Sequence, residues 1–225
     1  MALKKMQAHN KNEHALKLDC ADKKAHHPDA LSPGIMPFHP SVVIAAGRKG
    51  SGKGATVKQL LMLAAPAYDK IYICHYDPKT EEWNDCDPTK IFSIDDLPSD
   101  PTEFLDRSEK NALVIDEIPF EGMNRANKGK IDRVVNYMCT HYSCAVFLLQ
   151  QNLVSIPPAI RRAADWLIMW PSTDRESQRY VSRLTGHDMA KLSKLCKTKH
   201  DSITFDFSKD GPELRLNLFT PIKQS

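Results

Sequence analysis

The sequence has none of the features that mark a membrane-spanning or secreted protein. No apolar run approaches the roughly 20 residues that a transmembrane helix needs, and no signal peptide is recognisable at the start. The six cysteines include no Cys-x-x-Cys pair, so we expect reduced thiols and no disulfide framework. A large excess of charge is missing too, since 31 basic residues face 28 acidic ones. This mildly basic balance is compatible with a nucleic-acid partner but does not by itself indicate one.

A glycine-rich phosphate-binding loop is the most informative feature that is present. Residues 47–54 read Gly-Arg-Lys-Gly-Ser-Gly-Lys-Gly, which matches the pattern Gly-x-x-x-x-Gly-Lys-[Ser/Thr] up to its last position. Residues 41–46 predict a strand before this loop, and residues 56–63 predict a helix after it. Loop N–H groups and a helix N-terminus together attract phosphate. We therefore predict a nucleoside triphosphate site in which Lys53 reaches the terminal phosphates. The residues that bind the nucleotide are predicted to be Gly47, Gly50, Ser51, Gly52, Lys53, Gly54 and Ala55.

The loop lacks the hydroxyl that normally follows its lysine. Gly54 stands in that position, where the oxygen of Ser or Thr usually ligates Mg²⁺. Two interpretations remain open: a natural variant that leaves Mg²⁺ held through water and carboxylates, or a change that weakens catalysis. Thr56 lies two residues further on and is poorly placed to substitute. We expect a working site.

Short apolar segments predict the rest of the fold. Four further strands are predicted at residues 70–76, 111–115, 143–149 and 165–170, and helices at residues 131–139 and 175–196. Near-continuous apolar runs without alternation are typical of a parallel sheet that is buried on both faces. Alternation at residues 202–207 and 213–218 predicts a terminal hairpin that turns at Asp210-Gly211. The sequence thus predicts an α/β fold: a P-loop NTPase core with a mostly parallel central sheet flanked by helices, and a C-terminal β-hairpin.

The chain divides into two regions of different composition. Residues 1–36 carry six lysines against four acidic residues and few large apolar groups. We predict an N-terminal arm there, extended or partly disordered, that packs on a neighbouring subunit or contacts nucleic acid; a solvated tail is the alternative. Residues 37–225 are predicted to form the P-loop ATPase domain. Within it, residues 77–108 are acidic and contain prolines, which predicts a long surface connection.

A buried strand that ends in two acidic residues is the second catalytic signal. Residues 113–117 read Leu-Val-Ile-Asp-Glu, which places Asp116 and Glu117 at the carboxyl end of the third predicted strand. Nucleotide hydrolysis needs one carboxylate for the metal and a group that acts on the attacking water. We therefore predict that Asp116 holds Mg²⁺, directly or through water, and that Glu117 polarises the attacking water.

Amides and arginines follow the next predicted strand. Gln150 and Gln151 come directly after it, where a polar residue can sense the γ-phosphate or help to place water. Arg161 and Arg162 lie just before the fifth predicted strand. An arginine that reaches into a neighbouring subunit's site stabilises charge in the transition state. The alternative is that these arginines pair with a surface carboxylate.

Together these residues resemble the FtsK–HerA superfamily of DNA-pumping ATPases. Within it the chain is similar to the genome-packaging ATPases of tectivirus-like phages and large eukaryotic DNA viruses. The similarity covers residues 40–220 and is carried by residues 47–53, residues 113–117, and the stretch Gln-Asn-Leu-Val-Ser-Ile-Pro-Pro-Ala-Ile-Arg-Arg at residues 151–162. That stretch is the discriminating part. By this register, Gln151 rather than Gln150 matches the family's sensor glutamine, and Arg162 matches its arginine.

Three positions depart from the family pattern. Gly54 replaces Ser or Thr, Thr140 stands where relatives often have Arg before His141, and Ala163 replaces the Asn that usually follows the arginine. The first departure bears on metal ligation. The other two bear on signalling between subunits.

The resemblance implies a site, cofactors and partners. The implied cofactors are ATP and Mg²⁺, and the implied catalytic residues are Glu117, Gln151, Arg162 and Lys53. Relatives form rings, usually hexameric, with ATP between subunits and double-stranded DNA in the central channel. The resemblance also implies contacts with capsid vertex or portal proteins and with a viral membrane. The implied location is the virion, at a capsid vertex, and the host cytoplasm.

We therefore expect an ATP hydrolase that translocates double-stranded DNA into a preformed capsid. Contacts to DNA phosphates are predicted for a basic cluster formed by Arg125, Lys128, Lys130 and Arg133. One alternative is an ATPase that extrudes or assembles single-stranded phage DNA or acts as a helicase. Another is a nucleotide-binding structural ring component with weak or no hydrolysis.

Overall fold

The computed structural model describes residues 39–171, 174–208 and 213–222, which form one nine-stranded sheet with flanking helices. The strands are β1 Val42–Ala46, β2 Lys70–His75, β3 Lys90–Phe92, β4 Asn111–Asp116, β5 Cys144–Gln150, β6 Trp166–Met169, β7 Ile203–Asp206, β8 Glu213–Leu216 and β9 Thr220–Pro221. The predicted arm at residues 1–36 and the predicted turn at Asp210-Gly211 lie outside the described residues.

The sheet has the order β3-β2-β4-β5-β1-β6-β7-β8-β9. The strands from β3 to β6 in this order run parallel, and β7, β8 and β9 add antiparallel pairs at one side. The predicted mostly parallel sheet with antiparallel C-terminal strands is therefore confirmed. Because the carboxyl ends of parallel strands meet at one edge, the segments that follow β1, β2, β4 and β5 converge there.

The α-helices are α1 Lys53–Met62, α2 Arg125–Arg133, α3 Cys139–His141, α4 Pro158–Arg162, α5 Arg175–Thr185 and α6 Met189–Leu192. A π-helical turn, Val134–Met138, joins α2 to α3. The single helix predicted at residues 175–196 is divided, because Gly186 adopts a φ of 75° and ends α5. Helix α2 begins earlier than predicted, because the Asn124 side chain caps it by accepting a hydrogen bond from the Asn127 N–H. Within the described ranges, no helix has the length and apolar character needed to cross a bilayer.

The central strands are buried on both faces, which explains their near-continuous apolar sequences. Along β1, Val42, Ile44 and Ala46 pack into one apolar cluster, whereas Val43 and Ala45 pack into the other. Helix α1 covers the second cluster, and helix α2 with the π-helical turn covers the first. Packing on both sides fixes the strand ends from which the site loops leave.

The segment at residues 77–108 is more than the surface connection that its composition predicts. It contributes strand β3 at the edge of the sheet, and Trp83, Phe92 and Leu97 are at most 2% exposed. The apolar residues are too few and too widely spaced to show a period, so the polar background hides them. As a result this segment packs against the carboxyl edge of the sheet and brings Trp83 to the site.

Candidate nucleotide-binding site

The phosphate-binding loop joins β1 to α1, and its glycines meet specific backbone and packing demands. Gly50 and Gly52 have φ of 71° and 104°, in the left-handed region that favours glycine. A Cβ on Gly47 would lie 2.8 Å from Cβ of Trp170, closer than real side chains approach. The first hydrogen bond of α1 runs from the Thr56 N–H to the Gly52 carbonyl at 2.9 Å. The loop therefore wraps directly onto a helix N-terminus.

The interior of the loop offers groups that fit a phosphate. Lys53, Gly54 and Ala55 precede the first hydrogen bond of α1, so their N–H groups have no partner within the helix. The Ser51 hydroxyl is buried and, among the described residues, has no hydrogen-bond partner. A buried hydroxyl without a partner is unfavourable, and a phosphate oxygen in the loop would satisfy it.

Lys53 lies along the inside of the loop rather than extending into solvent. It is 5% exposed, and its Nζ donates to the carbonyl oxygens of Gly47 at 2.9 Å and Arg48 at 3.2 Å. The same Nζ forms an ion pair with Oε1 of Glu117 at 2.8 Å. A triphosphate that takes Lys53 as a partner must therefore replace one or more of these oxygens.

Glu117 links the loop to the end of β5. It follows β4 directly with a φ of 48°, an unusual conformation for a residue with a side chain. One carboxylate oxygen pairs with Lys53, and the other accepts a hydrogen bond from Nε2 of Gln151 at 2.9 Å. Burial alone would raise the pKa of Glu117, but the hydrogen bonds from Lys53 and Gln151, with the charges of Lys53 and Lys49, outweigh it and lower that pKa. Glu117 is thus ionised at neutral pH and is held in place by both neighbours.

Asp116 ends β4 beside the loop and is 6% exposed. Its Oδ2 accepts a hydrogen bond from Nε1 of Trp83 at 3.0 Å. Burial raises the pKa of Asp116 above its usual value, although the Trp83 hydrogen bond opposes the shift. One ring nitrogen of His75 and one carboxylate oxygen from each of Glu82 and Asp116 lie within 4.8 Å of one another. Carboxylate and imidazole groups at such distances fit a divalent cation.

The two adjacent glutamines have different environments. Gln150 is the last residue of β5, is 6% exposed, and donates through Nε2 to the Ile118 carbonyl at 2.8 Å. Gln151 is exposed and contacts Glu117. The structure therefore brings Gln151 to the Glu117 carboxylate, whereas Gln150 supports the loop after β4.

The two adjacent arginines end helix α4 and lie outside the cluster around Lys53. The Arg161 guanidinium stacks over the Tyr180 ring at 4.2 Å from its centroid. Arg162 is exposed, and no described carboxylate pairs with it. Neither arginine hydrogen-bonds to the phosphate-binding loop among the described contacts, so the site within one chain does not include Arg162.

The predicted basic cluster on α2 is only partly available to a ligand. Lys130 donates to the carbonyl of Asp95 at 2.7 Å, and Arg133 donates to that of Ser99 at 2.9 Å. These two side chains therefore stabilise the loop that follows β3. Arg125 and Lys128 remain exposed.

His75, Glu82 and Trp83 are the site residues that sequence reasoning missed. His75 is the last residue of β2 and is directly opposite Asp116 in the parallel register. A polar residue at the carboxyl end of the neighbouring strand was a usable signal for His75. Glu82 and Trp83 follow an irregular loop and show no pattern that would place them.

The fold is similar to solved structures of nucleotide-binding enzymes. The genome packaging NTPase B204 from Sulfolobus turreted icosahedral virus 2, in complex with sulfate, has a TM-score of 0.60 and 15% identity over 82% of this chain and 98% of that chain. The B204 complex with ATP-gammaS has a TM-score of 0.57 and 16% identity over 78% and 96%. EssC (ATPases 2 and 3) from Geobacillus thermodenitrificans has a TM-score of 0.56 and 14% identity over 78% and 39%. The pCW3 conjugation coupling protein TcpA has a TM-score of 0.54 and 13% identity over 78% and 59%.

This protein has the fold of a P-loop NTPase. The resemblance to genome-packaging ATPases is thereby confirmed at the level of the fold, over nearly the full length of B204. No protein-family model and no curated protein sequence matches the chain.

Proposed function

We propose that this protein is an ATP-driven motor that translocates double-stranded DNA into a preformed viral capsid. The observation that carries the ATPase part of this proposal is the continuous chain of contacts from Lys53 through Glu117 to Gln151. It joins the phosphate-binding lysine, the base and a polar sensor in one cluster at the carboxyl edge of the sheet. The structural similarity to B204, whose complex with ATP-gammaS is known, supports the packaging part.

The chemistry assigned to the site is attack of water on the γ-phosphate. Lys53 stabilises charge on the terminal phosphates, and Glu117 orients the water and accepts its proton as the new P–O bond forms. The bond between the γ-phosphorus and the bridging oxygen breaks, which leaves ADP and phosphate. Asp116 holds Mg²⁺, and that ion when bound neutralises charge on the phosphates. Gln151 keeps the Glu117 carboxylate in position.

The contacts of Lys53 indicate how nucleotide binding prepares the site for catalysis. Lys53 is shared between Glu117 and two loop carbonyls at 2.8 to 3.2 Å. Phosphates attract Lys53 more strongly than one carboxylate does, so ATP binding withdraws the lysine from Glu117. Without that partner Glu117 loses a cause of its lowered pKa and becomes a better base. Binding and activation of the base are thus linked through one ammonium group.

The assembly part of the proposal is a homo-oligomeric ring, as a hexamer, at a capsid vertex and in the host cytoplasm during packaging. Arg162 is exposed at the end of α4 and has no partner within the described chain. This position suits an arginine that completes the nucleotide site of a neighbouring subunit. Portal or other vertex proteins and a viral membrane are the further contacts we propose for the assembled ring.

The DNA contact we propose is an arginine-lined groove on α5. The groove has a volume of about 990 Å³, and its lining includes Arg161, Arg175, Arg179 and Arg183. The last three are spaced by four residues and therefore share one face of α5. Glu176 and Asp188 also line the groove, so its net charge is positive but moderate. A row of guanidinium groups suits contacts to phosphates, which a motor indifferent to sequence requires.

Salt dependence tests this groove. The test measures the affinity for double-stranded DNA as a function of salt concentration. A triple variant, with Arg175→Gln, Arg179→Gln and Arg183→Gln, should lower the slope of log affinity against log salt by about one unit for each arginine that contacts a phosphate. The double variant Arg125→Gln, Lys128→Gln is the control and should leave the slope unchanged. If only the control lowers the slope, the contact lies on α2 as the sequence predicted.

One competing function is favoured by a specific observation. Gly54 lacks the hydroxyl that usually ligates Mg²⁺, which would suit a ring component that binds nucleotide without turnover. Steady-state ATPase measurements with Mg²⁺, with and without double-stranded DNA, separate the two functions. A motor shows DNA-stimulated turnover that Lys53→Ala abolishes. Nucleotide binding with negligible turnover, unchanged by DNA, would replace the motor with the structural ring.

A further inference from the structure

We propose that Glu82 and His75 complete the divalent-cation site of this protein together with Asp116. In this site Glu82 supplies the ligand that the loop hydroxyl supplies where the phosphate-binding motif is complete. The inference rests on the nucleotide-binding part of the proposed function, and it is independent of hydrolysis and of DNA transport.

Glu82 lies close to Gly54, the position at which the motif lacks its hydroxyl. A Cβ on Gly54 would lie 3.4 Å from Oε1 of Glu82. The carboxylate therefore occupies the side of Gly54 from which a Ser or Thr hydroxyl would extend. Among the described residues, and apart from Gly54, its two chain neighbours and the adjacent backbone of α1, no other heavy atom lies within 4 Å of that Cβ position. The Glu82 oxygen thus lies close to the position of the hydroxyl oxygen that the motif lacks.

Three potential metal ligands, one imidazole and two carboxylates, converge beside the loop. A ring nitrogen of His75 and carboxylate oxygens of Glu82 and Asp116 all lie within 4.8 Å of one another. His75 and Asp116 are opposite residues at the ends of β2 and β4, so the sheet register fixes their spacing. Both residues are 6% exposed. Only Glu82, which is exposed, must adjust to reach an ion.

Neighbouring residues hold these ligands in place. Nδ1 of His75 lies 2.9 Å from the Asp77 carbonyl oxygen and 3.1 Å from the Asp77 amide nitrogen. In the tautomer that carries its proton on Nδ1, the ring donates to that carbonyl and the lone pair of Nε2 is left for a metal. Metal-bound histidines commonly donate their other N–H to such a carbonyl. Trp83 donates to one oxygen of Asp116 at 3.0 Å, and no described residue donates to the other oxygen. In each of the two buried ligands, one atom contacts the protein and fixes the side chain, and another atom can contact the ion.

Helix α1 also supports the loop that carries Glu82. Nζ of Lys58 donates to the main-chain carbonyl of Glu82 and forms an ion pair with Asp85 at 3.0 Å. Its ammonium lies 5.4 Å from the centroid of the Trp83 ring. The helix that begins with the phosphate-binding loop thus fixes the main chain of the proposed ligand.

The donor set predicts which ions the site prefers. Two carboxylates and one imidazole include a nitrogen ligand, which suits first-row transition ions such as Mn²⁺ better than the harder ions Mg²⁺ and Ca²⁺. Phosphate oxygens of a bound nucleotide and water would fill the remaining positions. We therefore expect the protein to bind Mn²⁺ more tightly than Mg²⁺.

The experiment measures Mn²⁺ binding directly by electron paramagnetic resonance on the full chain, first without nucleotide and then with ATPγS. Glu82→Gln should weaken Mn²⁺ binding by at least about tenfold, by analogy with the loss of supporting residues at known metal sites. Glu81→Gln is the matched control, since Glu81 is an exposed neighbour outside the cluster, and it should have no effect. Introducing Gly54→Ser into the Glu82→Gln variant should restore much of the affinity in the presence of ATPγS.

Spectroscopy separates a ligand from a supporting residue. Bound Mn²⁺ should show electron spin-echo modulation from an imidazole nitrogen, which His75→Gln removes. Unchanged Mn²⁺ affinity in Glu82→Gln, or the absence of nitrogen modulation in the wild type, would overturn the proposed site. Nucleotide binding is measured separately in EDTA. A protein that binds Mn²⁺ at these residues but binds no nucleotide would support the metal site and refute the proposed function.

Discussion

The ion pair between Lys53 and Glu117 leads us to predict that one substitution changes ATP affinity and turnover in opposite directions. The substitution Glu117→Gln removes the negative charge that holds Lys53 but leaves a side chain of the same shape beside Gln151. Lys53 then needs no displacement before it contacts phosphate, so ATP should bind more tightly. The same substitution removes the proposed base, so turnover should fall. A residue with a purely structural role would weaken both properties together.

The magnitudes follow from the geometry of the pair. Two unit charges 4 Å apart near a protein surface attract each other by about 4 kcal/mol. Glu117 is 33% exposed, however, and Lys53 is almost fully buried, so solvent screening and desolvation reduce the net value. A net release of about 1 kcal/mol corresponds to roughly fivefold tighter ATP binding. Loss of a general base lowers kcat by about 10²- to 10⁴-fold.

The assay pairs a fluorescent ATP-analogue titration with steady-state phosphate release. Tighter binding by Glu117→Gln could come from release of Lys53 or from loss of a charge that repels the phosphates. Glu117→Asp distinguishes these causes, because it keeps the charge on a side chain too short to reach the lysine. It should also tighten nucleotide binding. Glu121→Gln is the control, since Glu121 is exposed nearby and should change neither property. Weaker nucleotide binding by Glu117→Gln, or turnover within about tenfold of wild type, would refute the assigned roles.

Three further changes test structural residues, two beside the site and one at the amino end of the sheet. Gly47→Ala places a methyl group 2.8 Å from Cβ of Trp170, so we expect a lower Tm by calorimetry and loss of nucleotide binding. Gln150→Leu leaves the buried Ile118 carbonyl unpaired, which should lower the free energy of unfolding in urea by about 1 to 3 kcal/mol with little effect on kcat. Burial lowers the pKa of His39 from 6.5 to about 4, so its stabilising contribution is present above pH 6.5 and is lost as the pH falls towards 4. His39→Gln should therefore flatten the acid side of the stability curve, measured by urea unfolding at several pH values.

The parts of the fold predicted from sequence are those whose signal is continuous along the chain. The strands that contain Val43, Ile115 and Phe147 have continuous apolar interiors because both faces of the sheet are covered. The phosphate-binding loop was recognisable because its glycines are needed at fixed spacing. Asp116 and Glu117 could be found because they come at the end of a buried apolar strand.

The parts that could not be predicted depend on tertiary contacts. Burial of Trp83 against Asp116 joins two positions 33 residues apart and leaves no local pattern. Lys130 on α2 is not free to contact a ligand, because it donates to main-chain carbonyls of a loop that is distant in sequence. No sequence pattern indicates this contact. The choice between Gln150 and Gln151 rested on the family register, and the structure adds the physical reason. A strand residue at position 150 points into the core, so the next residue is the first that can reach Glu117.

Replacing a neutral hydroxyl by the Glu82 carboxylate has a consequence beyond filling a ligand position. A carboxylate 3.4 Å from the Cβ position of Gly54 places a negative charge near the phosphates, and that charge opposes a triphosphate when no cation is present. With a cation bound, the same charge strengthens the site. Nucleotide and metal should therefore bind more cooperatively here than in a loop that ends in Ser or Thr. The reason is that the cation neutralises the Glu82 charge that repels the triphosphate, and the triphosphate attracts the cation. If Glu82 supplies the missing ligand, Gly54 no longer favours the inactive ring component. Its effect on hydrolysis depends on whether Glu82 reaches the ion.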